Sequence, residues 1–422
     1  MAQETAHALV SHVIRRLTFS PTKDLVERFV KGAANPQAGA KAAIEWALGA
    51  PAKSLTPETL PEDGWDPSLR GWLSNMSSPD AGLHEKMTWF WHTHFANSSE
   101  KVGNQNLLHA QQGLFRKHAL GNFGILLREI STDPSMLLYL DGSGSNVEAP
   151  NENYAREVME LFTLGQGSFT EDDVKAGALA LAGWNVDYET GKGTFDAGAA
   201  LGGEVLFLGR RGRLGVDDVV ATLLAHPNCA PFVASKIYAY IAGTSPTKEL
   251  AAELGKVFRS ANYEIAPLIA DIVNNPEFLT QRLNRPRYPI EWFIAAYGAL
   301  GTPRDDAKDG GDIDPWSLQQ LDQLPYKPPN VAGWPPGPKW LSPSQQLTRL
   351  AYAWGNSWWI RPVEGSDLVA TVLQRCALHE VSDATRSALH EAALATAGSA
   401  DALSVSRRLL TAALCSPEFS LA

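Results

Sequence analysis

The run from Asn151 through Tyr154, Arg156, Glu157, Glu160 and Phe162 to Gly165 constrains the fold more than any other stretch of the chain. Wound as a helix at about 100° per residue, it places Asn153, Arg156, Glu157 and Glu160 in one stripe roughly 100° wide. Tyr154, Ala155, Val158, Met159, Leu161 and Phe162 occupy the larger arc. Ordinary surface helices are built the other way round, with the wide arc polar. A mostly apolar helix is expected to be mostly buried, and this one would carry two carboxylates, a guanidinium and an amide inward. Buried charge is costly unless paired, hydrogen-bonded or bound to an ion. The expectation is therefore a polar cavity or site, with Glu157, Glu160 and Arg156 as its catalytic groups and Asn153 as a substrate contact.

Helical periodicity dominates the rest. Ala6, Leu9, Val10, Val13, Ile14 and Leu17 recur every three or four residues, and Ser20-Pro21 reads as a cap and first-turn proline for a second helix. A helix over 38–48 closes at Gly49, residues 51–78 read as an extended connection, and Ser78-Pro79-Asp80 opens a helix toward Trp91. Residues 106–140 carry further helices, broken at Gly121 and Asp133-Pro134. Thr170 with Asp173 starts another in capping-box fashion. The stretch 184–214 differs, being rich in Gly, Thr and aromatic or β-branched residues, with a strand near 203–208. Helices resume from 216 to 415. The class expected is mainly α, in two lobes (1–185 and 215–422) joined by a small β-hairpin or irregular insertion over 186–214. Nothing resembles the strand–helix alternation of a doubly wound sheet.

The balance of charge narrows the partners. A net charge of -10 without a long basic run argues against nucleic acid or anionic membrane, which are met with Lys and Arg. No stretch approaches the roughly 18 apolar residues of a membrane span. Three scattered cysteines fit a reducing compartment and give neither a disulfide framework nor a metal spacing. The residues after Met1 have no basic stretch followed by an apolar core, so cytoplasm is the default expectation, with export on a partner left open.

Two more segments point to chemistry. Trp89-Phe90-Trp91-His92-Thr93-His94-Phe95 sets two histidines in an aromatic surround. At i and i+2 they share a face only on extended backbone; on a helix they point about 200° apart. His92 and His94, with His118, supply nitrogen ligands that Glu157 and Glu160 would complete around a divalent metal ion. The competing reading is metal-free: paired carboxylates as acid and base, suited to glycoside hydrolysis in an aromatic cleft. A purely structural network, with Arg156 pairing Glu152 or Glu160, stands beside both. From Tyr326 to Pro338, five prolines and two glycines impose an ordered, non-helical excursion. Asn330 and Trp334 are its candidates for a site wall, with Trp91 opposite, and a rigid strap is the simpler alternative. Thirteen tryptophans serve either as core or as stacking walls for sugars.

At these residues the chain resembles a large bacterial family, domain of unknown function 1800. The resemblance is carried by Trp91-His92-x-His94-Phe95, Arg116-x-His118 through Phe123, Met136 to Asp141, the 151–165 run, Thr170-Glu171-x-Asp173-Val174 with Gly183-Trp184, and Pro328-Pro329-Asn330-Val331-x-Gly333-Trp334-Pro335. It implies membership over nearly the whole chain and carries no activity. Many members have a His-Asp pair before the equivalent of Leu208-Gly209, where this chain has Ala197-Gly198-Ala199-Ala200-Leu201-Gly202-Gly203. Members often stand beside a second family resembling sulfatases and phosphatases, which implies a protein partner. Three functions stay open: an enzyme, metal-dependent or carboxylate-based; a non-catalytic scaffold or partner of a secreted or envelope system; and a carbohydrate-active hydrolase.

Overall fold

A computed structural model describes residues 2–49, 65–200, 202–301, 315–357, 360, 362–395 and 401–422. Those residues hold twenty-two α-helical segments, a π-helical turn and two small antiparallel hairpins, so the chain is mainly α as expected. No helix among them is long and apolar enough to cross a membrane.

They pack as two compact units. The first draws on 1–86, 273–325 and 335–422, the second on 87–272 and 326–334. This division differs from the one read along the chain at 185 and 215. The hairpin segment lies wholly inside the second unit, and three distant stretches share the first, a pairing that chain order does not reveal.

In the first unit the helix Ala2–Leu17 packs against Pro36–Gly49. Gly39 makes a close approach possible, because a Cβ there would stand 2.7 Å from the Phe29 carbonyl oxygen. The following helix, Lys23–Val30, is capped by Thr22, whose hydroxyl accepts from the Leu25 N–H at 3.3 Å; Ser20-Pro21 precedes the cap instead of forming it. A second correction concerns the expected connection over 51–78. Residues 50–64 lie outside the described ones, but Trp65–Ser77 is a helix. Leu69, Trp72, Leu73 and Met76 are all buried on one stripe, and burying it outweighs the breaking effect of Gly71. At the centre runs Pro289–Leu300, buried along nearly its whole length. In its first turn Glu291 accepts a bidentate pair from Arg285 at 2.9 and 3.0 Å, and pairs with Lys86 at 2.6 Å, all three side chains being buried.

The second unit holds the helices Gln105–Lys117, Phe123–Ile130 and Pro134–Tyr139, each opened by a polar cap: Asn104, Asn122 and Asp133. Thr170 and Asp173 close the capping box on Glu171–Ala180. Strands Trp184–Asp187 and Lys192–Phe195 pair with Trp184 opposite Phe195, and Val205–Phe207 pairs with Arg210–Gly212. Asp173 also accepts from the Leu208 N–H at 2.8 Å, which ties the second hairpin to that helix.

Candidate functional site

Asn151 caps the helix Glu152–Glu157, its side chain accepting from the Asn153 N–H. The helix then widens into a π-helix over Val158–Thr163, where the Leu164 N–H reaches back five residues to the Met159 carbonyl at 2.8 Å. A π turn leaves carbonyls without their usual α-helical partners and is frequent at functional sites. Here side chains take them up. His94 Nε2 lies 3.1 Å from the Phe162 carbonyl, Lys236 Nζ donates to that of Leu161 at 2.7 Å, and the Thr163 hydroxyl donates to that of Val158.

The apolar arc of this segment is buried, as the sequence implies, but the polar stripe faces outward. Asn153 is exposed, and Arg156, Glu157 and Glu160 are half-buried. The inference that the stripe enters a cavity is thereby corrected. A helix enclosed on most sides leaves only a narrow strip at the surface, and polar residues fill that strip.

Within the strip the groups behave differently. Arg156 forks onto Glu171 at 2.7 Å through both terminal nitrogens and lies 3.5 Å from Glu152, so it is occupied by structural pairing. Glu160 accepts from Gln166 at 2.6 Å. Asn153 donates to Asp141 at 2.9 Å, and Lys101 pairs with the same carboxylate at 2.7 Å while lying over the Tyr139 ring. Glu157 stands apart: no described residue donates a hydrogen bond to its carboxylate. Burial first, and then the Glu160 charge, hold it above the ordinary carboxylate range, against the pull of Arg156. Tyr139 is likewise raised by burial and by the charge of Glu157.

The histidines do not join this strip. All of Trp89 to Phe95 belongs to the helix Gly82–His94 and the turn after it, so His92 and His94 diverge. His92 Nε2 accepts from the Tyr326 N–H at 3.1 Å among the rings of Trp89, Phe115, Tyr326 and Trp334. Burial pushes it down to about 3, and His94 well below its usual value as well. His118 caps Gln105–Lys117 and lies 3.0 Å from Glu129. Among the described residues no group of three or more His, Cys, Asp or Glu is placed to hold a metal ion. The constellation of His92, His94 and His118 with Glu157 and Glu160 is therefore not assembled, because helical geometry sends its members in different directions.

Nor do the proposed aromatic walls open to a ligand. Trp91 is fully buried and donates to the Ala119 carbonyl at 3.1 Å; Trp334 is buried against Trp89 and His92. Asn330 is exposed and turns its own loop by accepting from the Ala332 N–H. The proline-rich segment is thus a strap seated on the helix end. Gly333 adopts φ +76°, and a Cβ there would stand 2.4 Å from the Thr93 carbonyl oxygen. Gly333→Ala is expected to cost about 2–3 kcal/mol of stability through strain and clash combined. Denaturant unfolding within error of wild type would show that the strap is not seated as described.

Sequence reasoning missed Tyr139, Lys101 and Lys236. Lys101 sits on the short helix Ser99–Val102, which only the fold brings to Asp141 and to the Tyr139 ring two residues before it. Lys236 was visible as the single charge in Cys229–Ala242, and burial lowers it to about 8.

Fold and site together define a mainly α-helical protein with a π turn under a half-buried acidic strip. The family model described as protein of unknown function, DUF1800, matches residues 12–421, and the chain belongs to that family. No curated protein and no solved structure matches it.

Proposed function

We propose that the protein is an enzyme whose chemistry is proton transfer at the outward strip of the 152–163 segment, with Glu157 as the proton-carrying group. One observation carries this reading: Glu157 is a half-buried carboxyl, raised by burial and by Glu160, and engaged by no hydrogen bond among the described residues. Carboxylates held for structure are normally paired, like those of Glu171 and Asp141 beside it. Two neighbouring carboxyl groups in unequal settings are the arrangement used to divide acid and base roles. Glu160 is engaged by the hydrogen bond from Gln166, which leaves Glu157 as the carboxyl that exchanges the proton. Asn153, Asp141, Lys101 and Tyr139 offer donors and acceptors suited to a neutral, hydroxyl-rich substrate, and the acidic surround disfavours an anionic one.

The test is carbon-13 NMR of glutamate carboxyls in wild type and Glu157→Gln, followed by calorimetric titration with cello- and chito-oligosaccharides. A carboxyl titrating above the usual glutamate range and lost in the variant is expected, with oligosaccharide affinity reduced at least about tenfold. If every glutamate titrates in the ordinary range, Glu157 has no such role.

A second reading, a scaffold or partner protein, is favoured by a different observation in the first unit. Leu347, Leu350 and Trp354 stand exposed along the helix Pro343–Asn356, beside an apolar groove of about 660 Å³ that Leu341 and Leu421 also line. Under this reading Leu347→Glu with Leu350→Glu abolishes concentration-dependent association in sedimentation; a wild type that stays monomeric at every concentration removes the self-association form of it.

A further inference from the structure

We propose that a narrow cleft beside the helix Ala2–Leu17 binds a monatomic anion of chloride's size, held by Arg15, Ser11 and His379, with one proton taken up by His12 as it binds. The cleft belongs to the first unit and lies far in sequence from the strip at 152–163. Ser11, His12 and Arg15 line it from the helix, Arg282 from beyond the short 3-10 turn Phe278–Thr280, and His379 with Glu380 from the segment after Leu368–Arg375. Its volume of about 10 Å³ suits a single water-sized or slightly larger sphere.

Four polar atoms of its lining residues have no hydrogen-bond partner among the described residues: Ser11 Oγ, His12 Nδ1, Arg15 Nε and His379 Nε2. Ser11, His12 and Arg15 are only 4, 4 and 6% exposed, so solvent does not serve them. Buried polar atoms are nearly always satisfied, and four orphans around one cleft point to an occupant. Arg15 shows this most clearly. Its terminal nitrogens donate to the carbonyls of Glu418 and Ala377, while Nε–H has no partner among the described residues.

The charges around it select the sign of that occupant. Facing His12 are Arg15 and Arg16 from its own helix and Arg282 from the segment after it. Across the cleft stand His379 and Glu380, and Glu418 lies near Arg15. Arg282 is neutralised by a fork onto Glu380 at 2.8 and 3.2 Å. Arg15 and Arg16 are not: Arg15 meets carbonyls, and Arg16 donates to the Gln281 carbonyl and to Asn284 Oδ1. The Glu418 carboxylate is taken up by the Ser382 N–H and the Thr385 hydroxyl. A surplus of buried positive charge remains, which favours an anion and opposes a metal cation.

His12 makes the site proton-linked. Its Nε2 lies 2.8 Å from the Phe278 carbonyl and so carries a hydrogen, which leaves a lone pair on Nδ1 in the neutral ring. Burial and the three arginines keep that ring neutral. An anion beside Nδ1 reverses the balance, because a second N–H then donates to it. One proton from solvent enters with each anion, the net charge of the site is unchanged, and each ligand strengthens the other.

Crystals of the full chain grown at mildly acidic pH with bromide in place of chloride, and measured at the bromine edge, test this directly. An anomalous peak within hydrogen-bond reach of Arg15 Nε and Ser11 Oγ is expected. In solution, chloride against gluconate at equal ionic strength is expected to raise the melting temperature by about 2–4 °C, more as pH falls. Ser11→Ala is expected to halve that shift at least, with circular dichroism unchanged, and His12→Gln to remove its pH dependence. A peak of water's weight without anomalous signal overturns the proposal, as does equal melting in the two salts.

Discussion

Glu291→Gln is expected to destabilise the protein by about 3–5 kcal/mol, because it strips two buried cations of a carboxylate they share. Lys86 is wholly buried, with its ammonium 2.6 Å from Glu291 and 3.1 Å from the Thr18 carbonyl; Arg285 forks onto the same carboxylate. Burial alone would raise Glu291, but Arg285 and Lys86 together bring it down to about 2. The carboxylate is therefore ionised throughout the physiological range, and its contribution is lost only as pH falls from the unfolded value toward 2. Gln keeps the shape and removes the charge. Urea unfolding at neutral pH measures the effect, and a loss under about 1 kcal/mol would mean that water reaches the cluster. Replacing the set together, as Lys86→Met with Arg285→Met and Glu291→Leu, is expected to recover most of the loss, since the cost lies in unpaired charge more than in the missing attraction.

Mild acid is expected to weaken the protein almost as much. His12 and His92 are held down at about 3 and His379 at about 4, in each case mainly by burial, and His94 is lowered too. Their unfolded forms take up protons below about pH 6.5 while the folded forms do not, so stability is full above that pH and drains away as pH falls through the interval. At about pH 5 each of His12, His92 and His379 accounts for about 2 kcal/mol. Asp133 opposes them. Burial raises it to about 7, so its folded form gains from protonation, returning about 3 kcal/mol over the same span. A net loss of about 3 kcal/mol between pH 7 and pH 5 remains from these groups, best measured in chloride-free buffer by urea midpoints. His92→Gln can still accept from the Tyr326 N–H and cannot titrate, so it is expected to remove about 2 kcal/mol of that loss. An acid loss unchanged in this variant would show that His92 is not sealed among Trp89, Phe115 and Trp334.

Most helices were legible because their signals are local. Asp133-Pro134 and Thr170 with Asp173 open helices where the sequence marks a boundary, and helices resume at Val216 after the hairpins. The helix Trp65–Ser77 was missed because its spacing competes with Pro67 and Gly71, which are breakers in isolation and tolerable once Leu69, Trp72 and Met76 are buried. The candidate site was legible as a place and illegible as an orientation. A narrow polar stripe is compatible with a buried cavity or with a thin window to solvent, and only the surrounding helices decide between them. The histidines failed for the reverse reason: the i, i+2 spacing already said they diverge on a helix, and the helix is what formed. The π turn left no trace, since six residues are too few to separate a period of 3.6 from a wider one. The two-unit division was hidden because pairing of residues 1–86 with 273–325 and 335–422 is set by distant contacts.

The widened turn at Val158–Thr163 amounts to one surplus residue lodged in a spiral, and something must decide where that surplus rests. His94 and Lys236 do so by gripping consecutive oxygens from two other helices, like pegs fixing a slack thread. Release of either peg would let the slack travel, swinging Glu157 and Glu160 around the axis relative to each other. The facing of the two acids is therefore governed by residues that never touch them.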